Sequence, residues 1–281
     1  MNNTFKLQTF SPNPPDAAGV LSWVHVGDLH MRAAGEQNDL DLQAIAGEVN
    51  AAFVDSISFV FLPGDNADHG DLQAYKVVRR SLDQLKVPWC AIIGDHDVEQ
   101  KSFDNFSTSL AEQTRYAFTV GTARFLALNA FDVPEPPSFA VLPEQLRWME
   151  EQLQAATAAG QVKVLLLHCY PSDLKQGREE LTRLVSDYGV KLIDMGHTHY
   201  NEVSHDGKTI YTATRSTGQI EEGPVGFSVT NLDGGVVSWR FLELGKLPAV
   251  IITSPADERL MADDADLDIS GHSDLRVRAK V

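Results

Sequence analysis

The sequence has few cysteines, no long apolar run and a deficit of basic residues. Its two cysteines, Cys90 and Cys169, lie inside apolar runs, which favours buried thiols over a disulfide framework. No apolar run approaches the roughly 20 residues that span a bilayer. The first 16 residues contain one lysine and no apolar core of a secretory signal. These absences predict a cytoplasmic protein that makes no contact with membranes.

The deficit of basic residues limits the kinds of partner. The chain of 281 residues has 23 Lys and Arg against 39 Asp and Glu, a formal net charge of −16. Nucleic acids and anionic membranes bind clustered Lys and Arg, so we expect neither partner, and a DNA nuclease is disfavoured. A soluble acidic surface accounts for the carboxylates, but some of them could also be metal ligands, and net charge does not separate the two explanations.

Strand and helix patterns alternate along most of the chain. Strand patterns cover 21–26, 56–62, 89–94, 115–120, 123–129, 162–168 and 191–196, and helical patterns cover 41–54, 72–85, 144–159 and 178–189. After residue 200, short β runs separated by Asp-Gly turns are typical of hairpins. The whole pattern predicts an α/β layered domain whose sheets finish in antiparallel strands.

Composition divides the chain into three parts. Residues 1–20 are rich in Pro and Asn and predict an irregular lead-in, and residues 21–242 hold the alternating pattern of one domain. Residues 243–281 are a β-rich extension with two β-like runs around an acidic stretch. We interpret the extension as an accessory or truncated β module, or as a segment that packs across the interface of a homodimer.

Asp and His residues follow five of the strand patterns. They occur in Gly-Asp-Leu-His at 27–30, Gly-Asp-Asn at 64–66, Gly-Asp-His-Asp at 94–97, at His168, and in Gly-His-Thr-His at 196–199. Glycine at a strand tip permits a sharp turn, and residues two apart on an extended segment share a face. Imidazole and carboxylate groups bind Zn, Mn and Fe, and seven such side chains suffice for two ions that share a carboxylate. Such a pair of ions is the clamp used for displacement at phosphorus.

Each motif also has a simpler explanation. An isolated Asp-x-His or Gly-Asp is common turn chemistry, and a lone histidine at a strand end can be a satisfied core residue. The ordered occurrence at five strand ends is what favours a metal site. His25 lies within a strand and is expected to pack in the core, and His69 belongs to a surface loop or overhangs the site.

The ordered motifs GDLH, GDN, GDHD, HCYP and GHTH resemble the signature of the calcineurin-like metallophosphoesterases. The segment 64–82 is similar to the subgroup that contains class III cyclic nucleotide phosphodiesterases and glycerophosphodiesterases. The resemblance covers residues 20–242. It implies a four-layer αββα sandwich with a binuclear centre of divalent or mixed-valence ions, which would be Mn, Fe or Zn.

The resemblance also assigns roles to individual residues. The implied ligands are Asp28, His30 and His199 for the first metal, Asp95, His168 and His197 for the second, and Asp65 as the shared bridge. His96 matches the family's catalytic histidine, which stabilises the phosphoryl oxygens or protonates the leaving alkoxide. A hydroxide that bridges the metals is the implied nucleophile, because coordination lowers the pKa of water.

Three positions depart from the family pattern. Asp95 stands where Asn is usual, and its carboxylate could tighten binding of the second metal or shift the metal preference. Cys169 replaces a common histidine in the HCYP motif, and Asn66 replaces a usual apolar residue. Asp97 matches the terminal acidic position and is expected to hold the loop or His96 rather than a metal.

The sequence therefore predicts a metal-dependent hydrolase of a small phosphodiester, either a cyclic nucleotide or a glycerophosphodiester. The alternatives are a phosphomonoesterase or nucleotide pyrophosphatase on the same scaffold, and a metal-binding interaction module without catalytic activity. A protein phosphatase is disfavoured because the chain reads GDNADHG where that group has GDxxDRG. We expect Arg32, His69 and Arg215 to contact substrate, although Arg215 could equally be structural.

Overall fold

The structure is a computed structural model that describes residues 10–131, 138–262 and 277–280. The strands in these ranges are β1 Leu21–His25, β2 Phe59–Leu62, β3 Trp89–Ala91, β4 Tyr116–Val120, β5 Ala123–Ala127, β6 Val162–Leu166, β7 Leu192–Met195, β8 Glu202–His205, β9 Ile210–Ala213, β10 Gly226–Asp233, β11 Val236–Glu243, β12 Ile251–Ser254 and β13 Arg278–Lys280. The α-helices are α1 Gln37–Ala52, α2 Leu72–Leu82, α3 Asp104–Ser109, α4 Pro143–Ala158 and α5 Arg178–Asp187. Of the helices in these ranges, none is both long and apolar enough to cross a bilayer.

Two large sheets carry the domain, and a small third sheet lies in the C-terminal extension. The first sheet has the order β11-β10-β1-β2-β3, and the second has the order β4-β5-β6-β7-β9-β8. β1, β2 and β3 are parallel, as are β5, β6, β7 and β9, whereas the remaining strands of both sheets join antiparallel. Because parallel strands end at the same edge of a sheet, the loops that follow them gather in one place.

Side chains of the strands alternate between two cores, as a period of two requires. Trp23 and Phe59 face the space between the sheets, where their rings stack with centroids 5.9 Å apart. Their neighbours Val24 and Val60 belong instead to the core beneath the helices. Helices cover the outer face of each sheet, as right-handed crossovers between parallel strands require. The predicted four-layer αββα sandwich is therefore confirmed.

The predicted elements are present, with ends that differ by a few residues. The helix predicted at 41–54 begins earlier, at Gln37. The sequence pattern missed this first turn because the turn is polar and lacks the apolar repeat that marks a helix. The short helix α3 was not predicted for the same reason. The two predicted hairpins join different sheets: β8 and β9 extend the second, and β10 and β11 extend the first.

The C-terminal extension packs against the first sheet. β12 and β13 pair as an antiparallel ribbon. Thr253 and Arg278 donate hydrogen bonds to Asp233 at 2.9 and 2.6 Å, and Lys280 donates to the Ser22 hydroxyl at 2.5 Å. The ribbon is thus tied to the main domain. Most of the acidic stretch and the start of the LRVRAKV run lie outside the described residues.

Candidate metal centre

The seven ligand candidates lie where the parallel strands end. Asp28 and His30 follow β1, Asp65 follows β2, Asp95 follows β3, His168 follows β6, and His197 and His199 follow β7. Three of these strands belong to the first sheet and two to the second, so the site lies where the two sheets face each other. Folding therefore brings together residues that are spread over most of the domain.

Four of these residues have a left-handed backbone, which is uncommon outside glycine. The φ angles are 41° at His30, 50° at Asp65, 70° at His197 and 64° at His199. Lys101 is the only other described non-glycine residue with a positive φ. A residue held in this region costs about 1–3 kcal/mol and persists only where its surroundings enforce it. The fold thus concentrates backbone strain at the ligands, where it aims side chains into the site.

The first half of the centre consists of Asp28, His30 and His199. The Nε2 atoms of His30 and His199 lie 3.0 Å apart, and His30 Nε2 lies 3.6 Å from Asp65 Oδ2. Asp28 and His30 are buried, with 0% and 2% of their surface exposed. The ring nitrogens of His30 and His199 therefore meet beside Asp65.

The second half consists of Asp95, His168 and His197. Asp95 Oδ1 lies 3.0 Å from His168 Nε2 and 3.2 Å from His197 Nδ1. Asp65 Oδ1 lies 3.5 Å from His168 Nε2, so the two oxygens of Asp65 face opposite halves. One ligand atom from Asp65 and one from each second-half residue lie within 4.8 Å of one another.

Two buried oxygens at the centre show that it fits cations. Asp28 Oδ1 and Asp65 Oδ2 accept no hydrogen bond from the described residues. A buried carboxylate oxygen without a donor is costly, and a divalent cation would satisfy it. The other Asp28 oxygen accepts the backbone N–H of His197 at 2.9 Å, which fixes the orientation of the carboxylate. Each half offers two histidines together with carboxylates, a donor set suited to Zn, Mn and Fe.

Outer hydrogen bonds orient two of the ligand histidines. His168 Nδ1 donates to the Pro63 carbonyl at 2.8 Å, which directs Nε2 at the centre. His30 Nδ1 lies 3.4 Å from Asp68 Oδ1 and 3.1 Å from the Gln219 side-chain amide. Both rings are therefore held from behind with Nε2 directed at the ligand cluster.

Three residues that border the centre were missed from sequence. Asp68 closes the GDNAD segment, and its place in that acidic motif was the available signal. Gln219 comes from the loop after β9 and carries no motif that indicates contact with His30. Phe139 packs against His197 with ring centroids 4.9 Å apart and forms an apolar wall of the second half.

Burial and mutual charge set the pKa values of the histidines. Burial, together with the neighbouring His96 and His199, lowers the pKa of His30 to about 3, so this ring is neutral. Burial acts to lower the pKa of His168, but the carboxylates of Asp65 and Asp95 raise it to about 10. A cation that binds at His168 must therefore displace a proton.

Asp95 differs from the family's Asn in its charge. Burial acts to raise the pKa of Asp95, but hydrogen bonds with His168 and His197 hold that pKa far below its ordinary value. Burial raises the pKa of Asp65 well above its ordinary value despite the charge of His168, and Asp95 adds to the rise. The second half thus carries a negative charge that an Asn would not supply.

His96 lies beside Asp65. Its backbone N–H donates to Asp65 Oδ1 at 3.0 Å, and its ring centroid lies 4.5 Å from that of His30. One ligand atom from each of these three residues lies within 4.8 Å of the others. His96 Nδ1 donates to the Asp68 carbonyl at 2.7 Å, so Nε2 is the nitrogen left to meet a ligand. The ring is also 26% exposed, which gives it access to a bound molecule.

Asp97 holds the loop, as predicted. It is buried and accepts hydrogen bonds from the backbone of Asn66, Ala67 and Gly94 and from the Tyr75 hydroxyl. The Asn66 side chain donates to Asp97 as well, at 2.9 Å. A polar residue at position 66 therefore supports the loop where the family usually has an apolar one.

Both cysteines are buried and free, as predicted. Cys169 has no exposed surface, and burial raises the pKa of its thiol above the ordinary value. A neutral buried thiol is a poor metal ligand and a poor nucleophile. The HCYP departure therefore adds no reactive group to the site.

Of the three expected substrate contacts, Arg32 and His69 lie together at the exposed edge of the site, and Arg215 is buried elsewhere. Arg32 Nε donates to Asp68 at 2.6 Å, and the Arg32 side chain is 60% exposed at the rim. His69 lies 3.4 Å from the same carboxylate and is 62% exposed. Arg215 is 8% exposed, with its guanidinium 3.9 Å over the Phe241 ring. The structure does not bring Arg215 into the ligand cluster, and the structural interpretation of this residue fits its position better.

Comparisons with known proteins agree with this geometry. A family model described as Calcineurin-like phosphoesterase matches residues 21–201. A relative from Fibrobacter succinogenes, named as a probable cyclic nucleotide phosphodiesterase, is 25% identical over 244 residues, which cover 81% of this chain and 89% of the relative. A similarly named relative from Synechococcus is 24% identical over 201 residues, which cover 67% of this chain and 72% of the relative.

Solved structures share the fold. A dimetal phosphatase from Danio rerio gives a TM-score of 0.68 at 14% identity and covers 79% of this chain and 97% of its own. GAP50, the anchor in the inner membrane complex of Plasmodium, gives 0.58 at 15% identity and covers 88% of this chain and 95% of its own. The family match spans all five ligand motifs. The chain therefore belongs to the calcineurin-like phosphoesterase family.

Proposed function

We propose that the protein is a dimetal phosphodiesterase that hydrolyses a small phosphodiester, either a cyclic nucleotide or a glycerophosphodiester. The position of Asp65 supports this most, because its Oδ1 and Oδ2 face His168 and His30 at 3.5 and 3.6 Å. One carboxylate placed between two sets of histidines is the arrangement that two adjacent cations require. The names of the two bacterial relatives also favour a phosphodiester substrate.

The ligands divide between the halves. Asp28, His30 and His199 would hold one cation, Asp95, His168 and His197 the other, and Asp65 would serve both. Bound Mn, Fe or Zn ions would supply a water of lowered pKa and positive charge for the phosphoryl oxygens. The chain contributes orientation, because the ligand backbones and outer ring nitrogens are held in place before anything binds.

His96 is the residue proposed to act directly on the substrate. Its Nδ1 donates a hydrogen bond to the Asp68 carbonyl, which leaves Nε2 to face the substrate. This nitrogen would donate a hydrogen bond to a phosphoryl oxygen or give a proton to the leaving alkoxide. The backbone N–H of the same residue holds Asp65, which ties the position of the ring to the bridge.

Arg32 and His69, at the exposed edge of the site, would bind a small anionic substrate. The bond from Arg32 Nε to Asp68 orients the guanidinium, and its terminal nitrogens would meet a phosphate oxygen. His69 stands beside it and would meet the alcohol part of the diester. A net charge of −16 argues against a nucleic-acid polymer as substrate.

Two alternatives use the same fold. A phosphomonoesterase or nucleotide pyrophosphatase would need the same centre and would differ only in the substrate it accepts. A non-catalytic module is compatible with the architecture, since GAP50 is described as an anchor. The presence of all seven ligand candidates together with His96 supports catalysis over that alternative.

Hydrolysis assays with and without a chelator test the proposal. We expect the Mn²⁺-loaded protein to cleave bis-p-nitrophenyl phosphate faster than p-nitrophenyl phosphate, and to lose both activities in EDTA. A panel of 3′,5′-cyclic AMP and glycerophosphocholine then separates the two diester classes. Faster cleavage of the monoester would favour the phosphomonoesterase, and absence of turnover on every substrate after Mn²⁺ addition would contradict an enzymatic role.

A further inference from the structure

A buried polar cluster between the two sheets lies outside the ligand set. It consists of Trp23 and His25 on β1, Asp194 on β7 and Thr212 on β9, all of which are 0% exposed. Asp194 accepts hydrogen bonds from Trp23 Nε1 at 2.8 Å, from His25 Nδ1 at 2.8 Å and from Thr212 Oγ1 at 3.0 Å. The proposed chemistry uses none of these four residues, which we call the sheet pin.

The sheet pin places a buried carboxylate against Trp23 in the core between the sheets. Removing a carboxylate from water costs several kcal/mol, which the three hydrogen bonds to Asp194 offset. Apolar rings such as Phe59 and Phe125 pack against Trp23, and a second buried hydrogen bond joins the hydroxyls of Thr214 and Ser228, the strand partner of His25, at 2.6 Å. Apolar surfaces tolerate sliding, whereas hydrogen bonds of fixed direction hold one alignment. A buried carboxylate with three donors in fixed positions therefore favours one alignment of the two sheets.

His25 and Asp194 of the sheet pin lie on the same two chain segments as four of the ligand candidates, closer to the interior. Three contacts between the sheets join residues separated by 169 positions, namely His25 with Asp194, the Asp28 carboxylate with the backbone N–H of His197, and His30 with His199. The segments 25–30 and 194–199 therefore run side by side in one register from the interior to the site. A shift at the innermost of the three contacts would be carried outward to the ligands.

We infer that the sheet pin is a positioning device that sets the register of these two segments and thereby builds the first half of the centre. All three first-half residues lie on the two segments, whereas of the second-half residues only His197 does, and Asp95 and His168 come from other loops. Asp194 acts through its neighbours, because its hydrogen bonds go to Trp23, His25 and Thr212 rather than to a ligand. The inference rests on the proposed function only in taking both halves to bind cations.

Conservative variants titrated with Mn²⁺ in the full chain test this inference. Asp194→Asn keeps the shape of the side chain but cannot accept all three hydrogen bonds, and Thr212→Val removes one of them. We expect calorimetry to show about tenfold weaker binding at one of two Mn²⁺ sites in Asp194→Asn, the low end of the range for residues that support metal ligands. Thr212→Val should change the same site by less. The site that His199→Ala abolishes identifies the first half in the titration.

Thr253→Val is the matched control. The Thr253 hydroxyl is also buried and donates to a carboxylate, Asp233, at 2.9 Å, but it does so where the C-terminal ribbon meets the first sheet. We expect this variant to lower Tm about as much as Thr212→Val and to leave both Mn²⁺ affinities unchanged. A purely structural role of the sheet pin would give that same result for Thr212→Val.

Two results would overturn the inference: unchanged Mn²⁺ affinities in Asp194→Asn and Thr212→Val, or equal weakening at both sites. If Asp194→Asn does not fold, Thr212→Val against its control decides the question. Diester turnover measured in parallel separates the two proposals. An active wild type with unaltered variants refutes the sheet pin alone, and an inactive wild type with a weakened first half refutes the phosphodiesterase alone. A wild type without a pair of Mn²⁺ sites refutes both.

Discussion

The two halves of the candidate metal centre are built differently. The first half is closed, since the side chains of Asp28, His30 and His199 are 0%, 1% and 12% exposed. The second half is more open, with Asp95 at 18% and His197 at 33%. The first half also takes its ligands from two segments in one register, whereas the second collects them from three loops. We therefore expect a preformed cation site in the first half and easier exchange of cation and substrate in the second.

Asp65→Ala should erase this difference, because it removes the carboxylate that faces both halves. We expect turnover to fall by about 10³-fold or more, which corresponds to losing several kcal/mol of metal-based stabilisation of the transition state. Elemental analysis should show weak retention of both cations. Asp187→Ala, which changes an exposed carboxylate on α5, is the control. Retention of most of the wild-type turnover would show that Asp65 is not a shared ligand.

His96→Ala should leave both halves loaded and still stop the chemistry. His96 contacts the bridge through its backbone, so the substitution keeps that hydrogen bond and removes only the ring. We expect a loss of about 10²–10⁴-fold in kcat with unchanged metal content. His205→Ala, at an exposed position on β8, is the matched control. Wild-type rates in His96→Ala would remove this residue from the mechanism.

Asp95→Asn should change the second half alone. The substitution keeps an oxygen ligand and removes the negative charge that His168 and His197 stabilise. We expect about tenfold weaker Mn²⁺ binding at the more open site, with higher turnover once that site is saturated. Calorimetry and kinetics at several Mn²⁺ concentrations measure both effects. Equal Mn²⁺ affinity and equal turnover in the wild type and Asp95→Asn would mean that the carboxylate and the amide are equivalent ligands.

Arg32→Ala should weaken substrate binding at the exposed edge of the site and leave both cation sites unchanged. Loss of one charge-assisted contact to a phosphate oxygen should raise KM about tenfold with little change in kcat. Arg183→Ala provides the control, since Arg183 is an exposed arginine that pairs with Glu180 and Asp187 on α5. A fall in kcat without a change in KM would place Arg32 in a different role.

Residues with a local signature could be predicted from the sequence. Each ligand candidate stands in a short motif at a strand end, and alternating strand and helix patterns place those strand ends at one edge. The same alternation predicts an α/β layered domain, whereas the second sheet of the four-layer sandwich was predicted from the family resemblance of the ordered motifs. Order along the chain was therefore enough to propose His30, Asp65 and His168 as neighbours.

Residues that act across the two sheets could not be predicted in this way. Gln219 contacts His30 over 189 positions, and Asp194 bonds Trp23 over 171. Hydrophobic periodicity reports which face of a strand is buried, but not how two sheets are aligned. In sequence, Asp194 is only a polar interruption of an apolar strand. The choice between a structural and a substrate-binding Arg215 was open in the sequence for the same reason, because Phe241, which packs against it, comes from another strand.

The most direct test of the shared bridge is anomalous diffraction from crystals of the Mn²⁺-loaded protein. We expect two anomalous peaks, one among Asp28, His30 and His199 and the other among Asp95, His168 and His197, with a different Asp65 oxygen on each. A single peak, or two peaks that do not share Asp65, would contradict it.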